Sequence, residues 1–526
     1  MPETPWWRTA AIYEIYVRSF ADANGDGIGD LAGLRDRLPY LRDLGVDAVW
    51  LTPFFRSPMV DGGYDVSDYR DVDPTLGTLA DFDAMLARAH ELGLRVIIDV
   101  VPNHTSAQHP WFVEALQDLP GSPARQRYHF LPPAADGGPP NDWESVFGGP
   151  AWTQVPDGEW YLHLFDPAQP DLNWDNADVR VEFESVLRFW LDRGVDGFRI
   201  DVAHGMAKRA GYPPVGRTGQ IGLLGKDELP YFDQDGVHEI YRAWRKILDS
   251  YPGQRMAVAE AWASTPQRLA RYVAPDELHQ AFNFDFLQAP WDDTAELRRV
   301  IDACIHAADP VGAPTTWVLS NHDVQRHVTR LGSLQRATAA ALLMLALPGS
   351  VYLYQGEELG LPEVLDLPAE ARQDPVWFRS GGTDPGRDGC RVPLPWSAAA
   401  PAFGFSPTGA AWLPQPAWSA LAADTQAGDP ASTLELYREA LRLRRTFTGP
   451  LRWRESPPGV LDFERDGLRC VVNLSGTPIP LPTSRVDQLQ DQRGEEAWVF
   501  GSGALDGDML PNDATVWIIA RNGRTS

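Results

Sequence analysis

Short runs of Val, Ile, Tyr and Phe recur along the first two thirds of the chain, and amphipathic stretches of helical period separate them. Eight runs have the length and composition of buried strands, at residues 12–17, 48–52, 96–101, 197–201, 256–260, 281–286, 316–320 and 351–355. Helical patterns between them include residues 81–92, 179–192, 237–248 and 334–346. Eight repeated β/α units predict an α/β fold, the (β/α)8 TIM barrel.

Two segments depart from this repeat. Residues 103–173, after the third predicted strand, are rich in Pro, Gly and Trp with little helical period, which predicts a small inserted domain. Residues 451–526 alternate apolar and polar positions, which predicts a C-terminal antiparallel β domain. The barrel is then expected to consist of residues 1–102 and 174–450.

Charge and composition limit the partners. The chain carries 46 Lys plus Arg against 72 Asp plus Glu, a formal charge of −26, so phosphates of nucleic acids and of anionic membranes are repelled. No run reaches the roughly 20 apolar residues of a membrane span, and the first residues lack a secretion signal. Three widely spaced cysteines predict neither a disulfide framework nor a thiolate metal site. We expect a soluble cytoplasmic protein.

Three acids stand at or just after the ends of predicted strands: Asp201, Glu260 and Asp323. One such acid is ordinarily a solvated or capping carboxylate, but three at comparable positions of a barrel converge on its catalytic face. Paired carboxylates suit glycosidic cleavage, in which one acid protonates the departing oxygen and another attacks the anomeric carbon. Arg199 lies two residues before Asp201 and favours its ionised form, whereas the apolar neighbours of Glu260 favour a retained proton.

An ordered series of motifs makes the resemblance specific. The series comprises DVVPNH at 99–104, QPDLN at 169–173, GFRID at 197–201, AEAW around Glu260, SNHD at 320–323 and YQGEELG at 354–360. It resembles that of the α-amylase family over most of the chain. The QPDLN variant, GYD at 63–65 and RDGCRVPLPW at 387–396 are similar to the branch of α-glucosidases and oligo-1,6-glucosidases, and the insert and tail match the family's B and C domains.

The resemblance implies roles for individual residues. Asp201 corresponds to the nucleophile, Glu260 to the acid/base, and Asp323 to the acid that stabilises the transition state. Asp65 and Arg391 are expected to meet and to grip the terminal glucose, which closes the pocket for exo action. The substrate-binding residues implied are Tyr64, Asp65, His104, Phe165, Gln169, Arg199, Val202, His322 and Arg391.

The loop DANGDGIGD offers oxygen ligands on alternate residues, as a hard cation requires. It begins like an EF-hand loop, but Gly33 occupies the twelfth position where a bidentate Glu belongs. An unoccupied Asx/Gly turn is the alternative. The resemblance implies a structural site, with Ca²⁺ expected, that uses Asp22, Asn24, Asp26, the carbonyl of Ile28, and Asp30.

The predicted function is a retaining exo-α-glucosidase that releases glucose from the non-reducing end of short α-glucosides and needs no organic cofactor. Val202 after the nucleophile accompanies α-1,6 cleavage in related enzymes, whereas the following Ala203, His204 and Gly205 resemble α-1,4 enzymes, so we expect maltose and maltooligosaccharides. The alternatives are an oligo-1,6-glucosidase, a transglucosylase or trehalose-forming isomerase, and an inactive barrel-type interaction protein. Oligomeric state is left open.

Overall fold

The computed structural model describes residues 4–481 and 497–520. Residues 1–3 of the predicted barrel, and 482–496 and 521–526 of the predicted C-terminal domain, lie outside the described residues. The strands are β1 (Ala11–Ile15), β2 (Ala48–Leu51), β3 (Phe55–Arg56), β4 (Asp68–Val72), β5 (Arg95–Val100), β6 (Phe130–Leu131), β7 (Trp152–Gln154), β8 (Trp160–Leu162), β9 (Gly197–Ile200), β10 (Met256–Ala259), β11 (Gln280–Ala281), β12 (Thr316–Val318), β13 (Ser350–Tyr354), β14 (Thr448–Trp453), β15 (Val460–Asp466), β16 (Leu468–Asn473), β17 (Ile479–Pro480), β18 (Ala497–Gly501), β19 (Met509–Leu510) and β20 (Ala514–Ala520).

The α-helices follow the strands in alternation through the barrel. They are α1 (Leu31–Leu44), α2 (Leu79–Glu91), α3 (Pro110–Gln117), α4 (Ala177–Arg193), α5 (Val237–Asp249), α6 (Pro266–Arg271), α7 (Phe284–Gln288), α8 (Thr294–Ala308), α9 (His327–Arg330), α10 (Leu334–Ala346), α11 (Pro375–Arg379), α12 (Ala423–Gln426) and α13 (Thr433–Arg444). Side-chain caps fix many of their starts; Thr78 and Asp81, for example, form a capping box at α2.

Eight parallel strands form the predicted barrel sheet, in the order β11-β10-β9-β5-β2-β1-β13-β12. At the seam between β12 and β11, the hydroxyl of Thr316 donates to the Ala281 carbonyl at 2.5 Å. Alternate strand residues separate two cores: Ile12, Ile97 and Tyr352 belong to a small cluster, whereas their neighbours along the strands pack in the large cluster with the helices. The (β/α)8 prediction is confirmed.

One predicted strand is much shorter than expected. Only Gln280–Ala281 of the 281–286 region pairs as a strand, and Phe284–Gln288 is helical instead. The cause is local, because the side chain of Asn283 accepts from the Phe286 amide at 3.4 Å and begins the helix as its N-cap. The remaining barrel strands and the four predicted helices lie within two residues of their predicted bounds.

The long excursion after β5 contains the three-stranded antiparallel sheet β6-β8-β7. Its apolar core is shared with the loop that follows β9, since Trp143 and Leu162 of the insert cluster with Tyr231 and Phe232 of that loop. Both segments therefore stand over the carboxyl ends of the barrel strands, where a site is expected.

The C-terminal part forms the antiparallel sheet β14-β15-β16-β20-β18. It packs on α10: Trp517 donates to the Leu342 carbonyl at 3.1 Å and Thr515 donates to the Ala339 carbonyl at 2.8 Å. This sheet lies against the outside of the barrel and contributes no residue to the cavity described below. Across the described stretches of the chain, none of the helices combines the length and apolarity needed to cross a bilayer.

A buried ion pair ties the insert to the loop after β9. Lys208 Nζ lies 2.8 Å from Asp171 Oδ2 and 3.1 Å from Asn103 Oδ1, and the side chains of Lys208 and Asp171 are 2% and 0% exposed. Burial lowers the pKa of Lys208, and Asp171 opposes that effect. The pair fixes the insert over the barrel. Each buried charge compensates the other, so the burial of either charge alone would be strongly unfavourable.

Lys208→Met is expected to lower the free energy of unfolding by about 3–5 kcal/mol, because Asp171 is left as an uncompensated buried charge. Urea denaturation followed by tryptophan fluorescence measures the change. Lys226→Met is the matched control: Lys226 is exposed and only its ammonium-to-Gly222 carbonyl contact of 3.2 Å is lost, so a change within about 0.5 kcal/mol is expected. Equal stability of the two variants would contradict the role given to the buried pair.

Candidate active site

The three predicted acids open into one cavity of about 420 Å³ at the carboxyl ends of the barrel strands. Asp201 directly follows β9, Glu260 directly follows β10, and Asp323 lies in the loop after β12. Parallel strands of a barrel end on the same face, which is why residues so distant in sequence meet here.

Arg199, on β9, holds three carboxylates with one guanidinium. Its Nη1 lies 2.5 Å from Asp201 Oδ1 and 3.0 Å from Asp99 Oδ1, and its Nη2 lies 3.0 Å from Glu260 Oε2. Arg199 is 2% exposed and Asp99, on β5, is fully buried. Since neighbouring nitrogens hold Asp201 and Glu260, the two carboxylates are kept close, as the roughly 5 Å separation of retaining glycosidases requires.

Burial raises the pKa of both Asp201 and Glu260, and Arg199 opposes the rise in each case. Ionisation of all three carboxylates around one buried cation is energetically unfavourable. The group therefore retains a proton and titrates as a unit. Asp201 and Glu260 both contact Arg199, at 2.5 Å and 3.0 Å, so the same cation opposes the rise in both pKa values. One carboxylate of the group can therefore be ionised while another holds a proton.

Val202 has a backbone φ of 43°, a conformation that a β-branched residue rarely adopts. In this conformation its amide donates to Glu260 Oε2 at 2.8 Å, and the Ala203 amide donates to the Glu260 carbonyl at 2.8 Å. Trp262 Nε1 lies 3.3 Å from the other carboxylate oxygen, Oε1. The strained turn at Val202 therefore orients the Glu260 carboxylate directly.

Asp323 has a cationic environment of its own. Its Oδ1 accepts from Arg387 Nη1 and from Arg391 Nη2, both at 3.0 Å, and its Oδ2 lies 3.4 Å from His322 Nε2. Against the effect of burial, His322, Arg387 and Arg391 lower the pKa of Asp323. One third of its side chain is exposed, so it presents a fixed negative charge to the cavity.

The expected pairing of Asp65 with Arg391 is wrong. Asp65 is fully buried, and its carboxylate accepts from the Ser57 hydroxyl at 2.9 Å and from the Val60 and Asp61 amides at 3.0 Å. Arg391 instead bonds Asp323 and the His322 carbonyl. The loop turns Asp65 inward to tie its own backbone, where it cannot reach the cavity.

Asp61 and Arg387 form a charged pair at the cavity, as had been expected of Asp65 and Arg391. Arg387 Nη2 lies 2.6 Å from Asp61 Oδ1, and its Nε lies 2.7 Å from Asp374 Oδ2. Asp61 and Arg387 line the cavity, and the guanidinium also rests on the ring of Phe147 at 5.1 Å from its centroid. The opening arginine of the motif RDGCRVPLPW, and the acid two residues before GYD, were the signals for these two residues.

Tyr64 and His322 form a stacked pair beside the acids. Their ring centroids are 5.2 Å apart at an angle of 5°, and the Tyr64 hydroxyl lies 2.6 Å from His322 Nε2. Nδ1 of His322 contacts Glu14 on β1 at 2.5 Å, a buried acid that the sequence analysis did not single out. Glu14 therefore fixes the orientation of an imidazole that holds Tyr64, one of the predicted sugar-binding residues.

The other predicted residues divide between the cavity wall and the layer behind it. His104, Phe165 and Val202 line the cavity. Gln169 is fully buried, and its Nε2 lies 3.1 Å from Asp61 Oδ2 and 3.2 Å from His104 Nε2, so it supports the wall from behind.

The predicted metal loop is closed by its own backbone. Asp22 accepts from the Gly25 and Gly27 amides at 2.6 and 2.8 Å, and Asp30 accepts from the Ala23 amide at 3.0 Å and from the Gly33 amide at 2.6 Å. In the parts of the chain that the structure describes, no three His, Cys, Asp or Glu side chains converge as metal ligands. Carboxylate, amide and carbonyl oxygens nevertheless remain the donor types of a hard cation.

Comparison with known proteins agrees with this geometry. The family described as "Alpha amylase, catalytic domain" matches residues 14–448. The chain belongs to the α-amylase family. Within the family it is similar to a probable α-glucosidase of Rhizobium meliloti, 40% identical over 93% of each chain, and to an oligo-1,6-glucosidase of Parageobacillus thermoglucosidasius, 36% identical over 84% of each.

A solved structure shares this fold over nearly the whole chain. The crystal structure of an α-glucosyl transfer enzyme superposes with a TM-score of 0.86 at 38% identity, over 98% of this chain and 100% of that one. The predicted family and barrel class are thereby confirmed.

Trp262→Phe is expected to shift the alkaline limb of the pH profile of kcat/KM to higher pH. The resemblance gives Glu260 the role of the acid, which only its protonated form can fill, so activity is expected to be lost as pH rises through its raised pKa. The Trp262 N–H stabilises the ionised form, and its removal raises that pKa further. Trp6→Phe, which removes an indole N–H donor bonded to the Gln254 carbonyl at 3.0 Å, is the control and should leave the limb unchanged. A limb that stays in place or moves to lower pH in Trp262→Phe would refute this account.

Proposed function

We propose that the protein is a retaining exo-α-glucosidase that releases glucose from the non-reducing end of short α-glucosides. The observation that carries this proposal is that one buried guanidinium contacts both Asp201 and Glu260. Asp323, which contacts Arg391, lies in the same cavity. Such an arrangement supplies a nucleophile, an acid and a fixed anion within one cavity.

The reaction follows from these positions. Asp201 attacks the anomeric carbon while Glu260 gives its proton to the departing glycosidic oxygen, which forms a β-linked glucosyl ester. Glu260, now ionised, takes a proton from the incoming water, whose oxygen displaces Asp201 and releases α-glucose. The negative charge of Asp323 favours the positive charge that develops on the sugar ring in both transition states.

Exo action is supported by the closure of one end of the cavity. Arg387 bridges Asp61 and Asp323, and Phe147 lies beneath its guanidinium. Charge-assisted hydrogen bonds from such a pair are directional and suit the hydroxyls of a terminal glucose. A chain that continued beyond that glucose would meet this bridge.

For the linkage we propose α-1,4, with maltose and maltooligosaccharides as substrates. The support is the sequence that follows Val202, since Ala203, His204 and Gly205 resemble enzymes that take maltose. The 36% identical oligo-1,6-glucosidase gives the competing candidate, and the α-glucosyl transfer enzyme gives glucosyl transfer as the competing outcome at the second step.

A cytoplasmic location is also proposed, supported by three cysteines that are buried as free thiols.

Proton NMR of a maltose digest is expected to show α-glucose as the first product. Initial rates with maltose and isomaltose are expected to give a higher kcat/KM for maltose. Asp201→Ala should lower kcat roughly 10⁴-fold or more, because the glucosyl ester cannot form. First-formed β-glucose would exclude the retaining mechanism. A clear preference for isomaltose would establish the oligo-1,6-glucosidase alternative.

We also propose that the loop from Asp22 to Asp30 binds one structural Ca²⁺, with Asn24, Asp26 and the Ile28 carbonyl as further ligands. The support is that Asp22 and Asp30 are only 5% and 4% exposed, and that burial, reinforced by the nearby charge of Asp22, raises the pKa of Asp30. Two like charges in that position favour a cation. When bound, the cation stabilises the loop and takes no part in the reaction.

Chelator is expected to lower the Tm of the metal-loaded protein, since ligand at 100 times its Kd stabilises the native state by about 2.7 kcal/mol. Asp26→Ala should reduce the metal content measured by atomic emission. Asp36→Ala, on the exposed face of α1, should leave metal content and Tm unchanged. An unchanged Tm after removal of a measured metal would overturn the structural role.

A further inference from the structure

The cavity is lined by two chemically different sets of side chains. Its charged and hydrogen-bonding groups include Asp61, Asp201, Asp323 and Arg387, together with His204, Asn321 and Asp384. Its apolar lining includes Ile221, Leu224, Phe232, Trp262, Phe284 and Val324. Of these six side chains only Trp262 carries a polar atom, and its N–H already points to Glu260 at 3.3 Å.

The apolar wall stands on the side from which the leaving group departs. Glu260 must contact the glycosidic oxygen to protonate it, and Trp262 adjoins the Glu260 carboxylate. Trp262 stacks on Phe284, with ring centroids 4.2 Å apart at 20°. Any group attached to the glycosidic oxygen therefore leaves along these two rings.

The loop after β9 completes the wall and is held in place by polar contacts. Gln220 is fully buried, donates to the Asp142 carbonyl at 2.7 Å, and accepts from the Tyr231 hydroxyl at 2.7 Å. Its amide and that of Glu144 also bond each other's side chains, at 2.8 and 3.1 Å. The wall is thus anchored in the inserted domain and preformed.

Two neighbours of Gln220 face the cavity from this anchored loop. Ile221 is 47% exposed, which is a large exposure for an isoleucine, and Leu224 lies beside it in the cavity lining. Gly225 lies so close to Trp262 that an added Cβ would be 3.2 Å from the indole ring. The loop, Trp262 and Phe284 consequently form one continuous apolar surface.

We propose that this surface makes apolar alcohols the preferred aglycones, so that the enzyme cleaves alkyl α-glucosides and also transfers glucose to alkyl alcohols. The inference rests on the proposed glucosidase function. In transfer, the alcohol oxygen displaces Asp201 from the anomeric carbon, Glu260 takes the hydroxyl proton, and the products are the alkyl α-glucoside and the free carboxylate.

The first test compares methyl, propyl, butyl and hexyl α-glucosides, whose leaving groups differ little in acidity. Complete burial of a methylene is worth about 0.8 kcal/mol, or fourfold, so kcat/KM is expected to rise about twofold to fourfold per methylene up to butyl. A flat or falling series in an enzyme that hydrolyses maltose overturns the inference and leaves the glucosidase function intact. Failure with every α-glucoside, including maltose, overturns the glucosidase function itself.

The second test removes apolar surface from the wall. Ile221→Ser and Leu224→Ser are each expected to lower the butyl-to-methyl ratio of kcat/KM at least threefold. Val181→Ser removes a more exposed apolar side chain, 66% exposed on α4 and absent from the cavity lining, and should leave that ratio unchanged. Equal ratios in all three variants would show that the wall does not select the aglycone.

The third test gives the glucosyl-enzyme, formed from maltose, equal concentrations of methanol and butanol. Butyl α-glucoside is expected to exceed methyl α-glucoside at least fivefold, and the excess should shrink in Ile221→Ser. Equal yields of the two glucosides, or glucose as the sole product, would overturn the transfer part of the proposal.

Discussion

The active site depends on the buried guanidinium of Arg199. Three carboxylates, those of Asp99, Asp201 and Glu260, lie within 3.0 Å of it, and they come from three neighbouring strands or the residues directly after them. Without this charge the same carboxylates would be buried close to one another with no compensation, which is strongly unfavourable. The positions of Asp201 and Glu260, and the proton that the group retains, are all consequences of this one set of contacts.

A second group of cations gives the third acid a different character. Arg387 and Arg391 hold Asp323 ionised, whereas the group around Arg199 has more carboxylates than positive charge. Two environments within one cavity thus separate a fixed anion from a pair that exchanges a proton, although all the side chains are of the same chemical type. The unusual backbone conformation of Val202 adds a further difference, since it directs the Val202 amide to the Glu260 carboxylate.

The rim of the cavity depends less on the barrel than on contacts between its two longest excursions. Lys208 joins Asp171, and Gln220 joins Glu144, so the loop after β9 and the inserted domain form one wall. The barrel alone places the acids, whereas the lining of the cavity is shared: Ile221 and Leu224 come from the loop after β9, and Trp262 and Phe284 follow β10 and β11. The acids and the wall beside them therefore have partly separate structural origins.

The sequence by itself determined seven of the eight barrel strands, the four predicted helices, the three acids and Arg199, because hydrophobic period records burial within one element and motif order records the family. It could not determine which acid faces the cavity, since Asp61 and Asp65 belong to one loop and only its folded course turns one outward and the other inward. Nor could it reveal contacts such as Glu14 with His322, 308 residues apart. Pairings of this kind, like that of Asp61 with Arg387, are set by the closure of the barrel and by the course of loops from different strands, and no local pattern encodes that geometry.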